Sequence, residues 1–339
     1  MKSAMRLLAP LFLIASLHAQ NRLSKYAVLP ASDKETYLTS LNQLADEGYR
    51  VLFTGKYTIL RMEATPPDTY RYLRIEGEGG FVQFTNWINE QGAHGYRWRP
   101  REGLMEKAPH PRNYEYRASH HGGLGPSKGS DISPLLEAGY RPLGIAGFRH
   151  AISANTVELY FEREIGQPAG EPPQSPGDAV EIADAMRAGN VLKHVDELAK
   201  RGYRFLGTAL SNKGGGIAAM MEKCPGDCAG RYEYRYFDAK NAAQVSSDLN
   251  TLGSDGFRVL PVMLGTRPHL LERDTQDPRK FMYRILQPTD ATSLQQALGS
   301  ADQEGYAPIG YVWHMGWTVQ GFLVLEKETT ASSPPAPSQ

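Results

Sequence analysis

Apolar residues recur at helical spacing in five short stretches: Leu38, Leu41 and Leu44; Phe81, Phe84 and Ile88; Val191, Val195 and Leu198; Val245, Leu249 and Leu252; Leu294, Leu298 and Ala301. Steps of three and four residues place each set on one face of an α-helix. A sixth stretch, Ile132, Leu135 and Leu136, gives scarcely two turns, and Pro134 fits only in the first of them. Each stretch runs into a glycine followed by an aromatic residue: Gly48-Tyr49-Arg50, Gly95-Tyr96-Arg97, Gly139-Tyr140-Arg141, Gly202-Tyr203-Arg204, Gly256-Phe257-Arg258 and Gly305-Tyr306-Ala307. The spacings are 47, 44, 63, 54 and 49 residues. Glycine there supplies the left-handed conformation that ends a helix, and the aromatic residue starts a strand.

Two extended runs follow each glycine, as in Val51 to Gly55 with Tyr57 to Glu63, and Phe205 to Leu210 with Ile217 to Lys223. Turn residues such as Asn212 and Gly214 to Gly216 separate them, so the runs read as hairpins. The second run closes on Met62-Glu63, Met105-Glu106, Phe161-Glu162, Met221-Glu222, Leu271-Glu272 and Leu325-Glu326. Strands of alternating aromatic residues open the next stretch: Tyr70-Arg71-Tyr72, Tyr114-Glu115-Tyr116-Arg117, Tyr232-Glu233-Tyr234-Arg235 and Phe281-Met282-Tyr283-Arg284. Lys25-Tyr26-Ala27-Val28 and Val180-Glu181-Ile182 open the first and fourth copies.

The pattern predicts an α+β fold of about six tandem βαββ repeats, forming mainly antiparallel sheets with helices on one face, in two three-repeat halves. Closing strands such as Phe322 to Leu325 are apolar on both faces and are expected in the centre of their sheets. A unit of about 50 residues buries too little surface to stand alone, so neighbours are expected to share sheet edges or faces. A closed ring satisfies that need, but the linker in the middle of the chain favours two separable lobes.

The Tyr-Glu-Tyr-Arg strand, the helix ending in Gly plus an aromatic residue, and the hairpin ending near Glu-Lys resemble a family of short bacterial domains of unknown function. In that family one unit often makes a whole protein. The resemblance extends over nearly all of the chain after its first nineteen residues; it implies the fold and no catalytic residue.

Residues 1–19 carry Lys2 and Arg6, an apolar core from Leu7 to Leu17, and Leu17-His18-Ala19 before Gln20, the layout of a secretory signal peptide cleaved after Ala19. The expected division is then residues 20–164 for the N-terminal half, a Pro- and Gly-rich linker at 165–177, residues 178–328 for the C-terminal half, and a disordered tail at 329–339. Once the signal is removed, no transmembrane segment is expected, because nothing later approaches twenty uninterrupted apolar residues.

Loss of Lys2 and Arg6 leaves 35 basic against 37 acidic residues. This balance gives no electrostatic reason for a nucleic-acid partner, although Tyr and Arg interleave on the opening strands as they do on single-strand platforms. Packing of those rings under a helix is the competing reading.

Cys224 and Cys228 enclose Pro225-Gly226-Asp227 between two predicted strands. In an exported chain they are expected to form a structural disulfide; free thiols and a redox pair are the alternatives.

Other candidate chemistry is weaker. The recurring glutamates Glu63, Glu106, Glu162, Glu222, Glu272 and Glu326 suit strand-end charges, exposed and paired with Arg74, Arg117, Arg235 or Arg284, better than a catalytic pair, which needs two unlike environments. His110, His120, His121 and His150 cluster in the third unit, where Asp131 could complete a zinc site, but no helix-borne His pair supports one. The Gly214 to Gly216 run lacks the ending of a phosphate loop, and Ser133 and Ser246 lie in no nucleophile elbow. No catalytic, cofactor-binding or metal residue is therefore assigned, and no cofactor is expected. The chain reads as an exported, periplasmic or secreted bacterial repeat protein that binds an unknown protein or envelope ligand without catalysis. The alternative is a hydrolase or metal-dependent enzyme with its site in the irregular third repeat or between the halves.

Overall fold

The computed structural model describes residues 24–75, 81–100, 102–122, 133–143, 156–166, 180–185, 188–210, 217–224, 226–237, 241–260, 269–287, 289–315 and 319–329. The expected signal peptide, the linker after Gly166 and the tail after Thr329 lie outside the described residues.

The fold is α+β, with six helices and six small antiparallel sheets among the described residues. The first sheet holds β1 (Tyr26–Pro30), β2 (Tyr49–Phe53) and β3 (Tyr57–Met62), with α1 (Lys34–Asp46) between β1 and β2 in sequence. The second holds β4 (Arg71–Arg74), β5 (Tyr96–Arg99) and β6 (Leu104–Lys107), with α2 (Phe81–Ala93). The third holds β7 (Tyr114–Gly122), β8 (Arg141–Pro142) and β9 (Thr156–Glu164), with α3 (Ser133–Glu137). The fourth holds β10 (Val180–Ala185), β11 (Tyr203–Leu210) and β12 (Ile217–Lys223), with α4 (Ala188–Lys200). The fifth holds β13 (Tyr232–Phe237), β14 (Arg258–Val259) and β15 (His269–Asp274), with α5 (Ala242–Ser254). The sixth holds β16 (Lys280–Leu286), β17 (Ala307–Met315) and β18 (Val319–Thr329), with α6 (Ala291–Gln303).

In every sheet the third strand in sequence lies in the middle, flanked by the first and second, as in β1-β3-β2 and β16-β18-β17. The cause is visible in β18, where Phe322, Leu323, Val324 and Leu325 are all buried, so both faces of the strand need cover. Gly48, at φ 100°, closes α1: its N–H donates to Ala45 O, and its own carbonyl accepts from Glu63 and Ala64 N–H.

A helix here does more than cover its own sheet. Leu41, Leu44 and Ala45 of α1 share a core with Val51 and Leu60 of the first sheet and with Tyr72 and Leu104 of the second. Phe84 and Ile88 of α2 pack with Tyr116 and Tyr160 of the third sheet. Val195 and Leu198 of α4 reach Tyr234 and Leu270 of the fifth, and Val245 and Leu249 of α5 reach Tyr283 and Phe322 of the sixth. The series then returns to its beginning. Leu294, Leu298 and Ala301 of α6 form one core with Tyr26, Val28, Tyr57 and Ile59 of the first sheet. The two expected halves are thus in apolar contact through α6, which packs against β1 and β3.

Candidate functional site: the polar joints between sheets

Four of the six recurring glutamates are buried, not exposed as the sequence suggested: Glu106 is 4%, Glu162 8%, Glu272 7% and Glu326 7% exposed, while Glu63 and Glu222 are partly buried. Their partners also differ from expectation. Each of the four is held by the arginine of the Gly-aromatic-Arg triplet one sheet earlier in the chain, which the helix-to-next-sheet packing carries across. Arg50 meets Glu106 with Nε at 3.1 Å and Nη2 at 2.8 Å. Arg97 Nε lies 2.9 Å from Glu162, Arg204 Nη2 2.7 Å from Glu272, and Arg258 Nε 2.9 Å from Glu326.

A tyrosine completes each clasp. The hydroxyl of Tyr72 donates to Glu106 at 3.0 Å and accepts from Val51 N–H at 2.9 Å. Tyr234 does the same between Glu272 (2.9 Å) and Phe205 N–H (2.8 Å), and Tyr283 between Glu326 (3.3 Å) and Val259 N–H (3.1 Å). Tyr116 accepts from Trp98 N–H at 2.7 Å. Two residues earlier on each opening strand, the rings of Tyr70, Tyr114, Tyr232 and Phe281 lie under Arg50, Arg97, Arg204 and Arg258, with the guanidinium carbon 4.7–5.7 Å from the ring centre. The opening-strand rings are therefore used in joints inside the protein, whereas the arginines interleaved with them, Arg71, Arg117 and Arg235, are exposed.

Burial raises the pKa of all four clasp tyrosines and keeps them neutral donors. Burial opposes ionisation of Glu106 too, but Arg50 and Arg99 outweigh it and hold that carboxyl below its ordinary value. Glu162 is raised, because desolvation, with a small addition from Glu164, prevails over Arg97 and the Tyr116 hydroxyl.

A helix asparagine adds a third bond to three joints. Asn42, Asn89 and Asn250 each accept from the N–H and donate to the C=O of Tyr72, Tyr116 and Tyr283, at 2.7–3.1 Å. The same helix position in α4 is Asp196, which cannot donate when ionised, and Tyr234 O accepts from Arg235 instead, at 2.9 Å. Desolvation raises Asp196, with Arg235 and Lys200 pulling the other way and Glu233 adding to the rise. A raised carboxyl stabilises the fold in its protonated form, so this contribution is lost as pH climbs from about 4 through the raised value. Asp196→Asn should therefore add about 1 kcal/mol at neutral pH and little in acid, measured by urea unfolding across pH. An equal gain at every pH would show that the carboxyl does not titrate with folding.

Strand register identifies the equivalent positions without reference to sequence motif. The clasp glutamate is the central-strand residue opposite both the opening tyrosine and the edge-strand arginine: Glu106 stands opposite Tyr72 and Arg97, and Glu272 opposite Tyr234 and Arg258. In the first sheet that residue is Arg61, opposite Tyr26 and Arg50, so Glu63 is two places off and is no member of the set. Glu63 accepts instead from Arg61 and, at 3.3 Å, from Arg50. The edge-strand position in the sixth sheet is Ala307, opposite Glu326, and Pro308 follows without an N–H. In the fourth sheet the same register places Val180 and Arg204 opposite Glu222, and Pro142 follows Arg141 in the third.

Two joints thus lack the clasp tyrosine bond. Where α6 meets the first sheet, the buried Tyr26 hydroxyl has no hydrogen-bond partner among the described residues. Gln295 reaches Tyr26 O at 2.6 Å, and Lys25 pairs with Asp302 at 2.7 Å. Between the third and fourth sheets, β9 lies against β11.

Cys224 and Cys228 are at disulfide distance, S–S 2.00 Å. His110 is exposed; His120 and His121 lie in β7 opposite Glu158 and Val157, with their side chains, and all of Asp131 and His150, outside the described residues. Among the described residues no three His, Cys, Asp or Glu side chains converge on a metal position, and no helix is long and apolar enough to cross a membrane. Comparison with family models, characterised proteins and solved structures finds no match.

Proposed function

We propose that this chain is an exported, non-enzymatic binding or scaffold protein built as six tandem βαββ units in two halves of three, residues 20–164 and 178–328. The observation that carries the reading is the use made of its most reactive residue types. Glu106, Glu162, Glu272 and Glu326 are each buried against an arginine, and Tyr72, Tyr234 and Tyr283 donate to three of them, so they hold units together and offer no free acid or base.

The two clasp-poor, proline-bearing joints support the division into halves, since they fall between the third and fourth sheets and between the sixth and first. Constant joints combined with connections of varying length are how repeat proteins build a ligand surface. Here the stretches between the paired strands run from a few residues at 54–56 to a dozen or so at 143–155. The ligand expected is a protein or another envelope component, not a nucleic acid.

Affinity capture of the mature chain from its own envelope fraction, with mass spectrometry of what is retained, tests the reading. A component retained in fixed proportion is expected; recovery of nothing above background overturns it. Turnover of an ester or peptide panel that is lost on His120→Ala or His121→Ala would assign hydrolysis to the third unit instead. Intact mass of the same sample checks cleavage after Ala19 and the absence of two hydrogens at Cys224 and Cys228.

A further inference from the structure

We infer that Arg61, Ala307 and Pro308 form an exclusion key that reserves the first sheet for the chain's own last helix, closing the six units into a circle. The inference rests on the six-unit reading above and adds what makes the closing joint exclusive. The apolar half of the joint is in place, with Leu294, Leu298 and Ala301 against Tyr26, Val28 and Ile59. Its polar half is changed on both sides at once. Ala307 replaces the arginine, Pro308 removes the N–H, Arg61 replaces the glutamate, and Ser24 stands where Tyr70, Tyr114, Tyr232 and Phe281 stack under arginine elsewhere. Loss of the arginine alone would leave a buried glutamate without its counter-ion; here the charge is changed on both sides, Arg61 bonding Glu63, and of the clasp positions only the Tyr26 hydroxyl is left without a partner among the described residues.

These changes discriminate in two directions. An internal face carrying Arg50, Arg97, Arg204 or Arg258, if laid on the first sheet, sets its guanidinium toward Arg61, whose neighbouring carboxylate Glu63 is already engaged by Arg61 and by the first sheet's own Arg50. The face of the sixth unit, if laid on any internal sheet, sets Ala307 beside a buried glutamate and leaves that charge without its counter-ion. Both wrong pairings bring a charge penalty that the right one avoids, which is specificity by exclusion. The right pairing gains its own bonds, Gln295 to Tyr26 O and Lys25 to Asp302. A second copy offers the same two faces, but its chains would add head to tail without limit, whereas the tethered end is present at far higher local concentration.

Closure itself is tested on the unaltered mature protein. Zero-length carbodiimide coupling should join Lys25 to Asp302 within the monomer band; a link found only in dimers would assign the face to a second copy, and no link would refute closure. Exclusivity is tested with Arg61→Glu/Ala307→Arg, which restores the clasp's charge pair at this joint and leaves Pro308 and Ser24 in place. The double variant should melt higher than wild type, with a gain beyond that of its two single variants together. After refolding from urea at micromolar concentration it should give mixed sizes by light scattering where wild type gives one. Refolding to a single monomer would overturn the exclusion key. Absence of the extra gain would instead show that the joint is not a sixth copy of the clasp, which strikes the six-unit reading.

Discussion

Glu106→Ala is expected to cost about 3 kcal/mol, because it takes the buried carboxylate from two guanidinium groups and a buried hydroxyl at once, although Arg50 keeps Glu63 and Arg99 keeps Glu102. Arg50 and Arg99 both end on this carboxylate, Arg99 Nη1 at 2.8 Å, and Tyr72 donates to it from the core. Glu106→Gln keeps an acceptor for one partner and should cost roughly half as much. The pH profile distinguishes this joint further. The folded carboxyl titrates below its ordinary value, so its stabilising contribution is complete above the ordinary carboxylate range and is lost as pH falls through the depressed value. Wild type should therefore lose stability in acid that Glu106→Ala does not. Urea unfolding at neutral pH and in acid measures both; a loss near 1 kcal/mol at neutral pH would show the clasp to be solvated.

The second large effect is steric. Gly253 lies on α5 one turn after Asn250, where the helix sits closest to β16. A Cβ added there would stand 2.3 Å from Phe281 O and 2.8 Å from Tyr283 Cε2, and backbone cannot yield as a flexible side chain can. Gly253→Val should lift the helix from the sixth sheet, loosen the Asn250 grip on Tyr283, and cost about 3 kcal/mol. Gly299 of α6 is the control, since nothing lies within 4 Å of its added Cβ. Gly299→Ala should stabilise by up to about 1 kcal/mol through helix propensity alone. Similar costs for both substitutions would mean that the approach of α5 to β16 is not what the glycine serves.

The same residues explain why the sites were harder to read than the elements. Periodicity marks Leu41 and Leu44 as one helix face but carries no information on what they face, and they turn out to serve two sheets. The Glu-Lys endings suggested six equal glutamates. Register shows that the copy at Met62-Glu63 is displaced by two, a distance that preserves the side of the strand and so escapes any pattern of alternation. Burial of Glu106 is not legible in the sequence for a related reason: a strand-end carboxylate is normally solvated, and only the packing of α1 against the second sheet brings Arg50 over it.

What the sequence determined by itself was everything set by neighbours within about fifteen residues. The helices with their glycine ends, the hairpins, and the middle place of the doubly apolar closing strands all follow from local spacing and from how much of a strand must be covered. The nearness of Cys224 to Cys228 belongs with them. The tertiary structure alone decided which surface each helix covers beyond its own sheet, which arginine meets which glutamate, and that α6 meets β1. Those pairings span from 56 residues for Arg50 and Glu106 to 277 for Lys25 and Asp302. Pairing at such range depends on which burial satisfies every apolar face and every charge together, a condition on the whole chain that no local window contains.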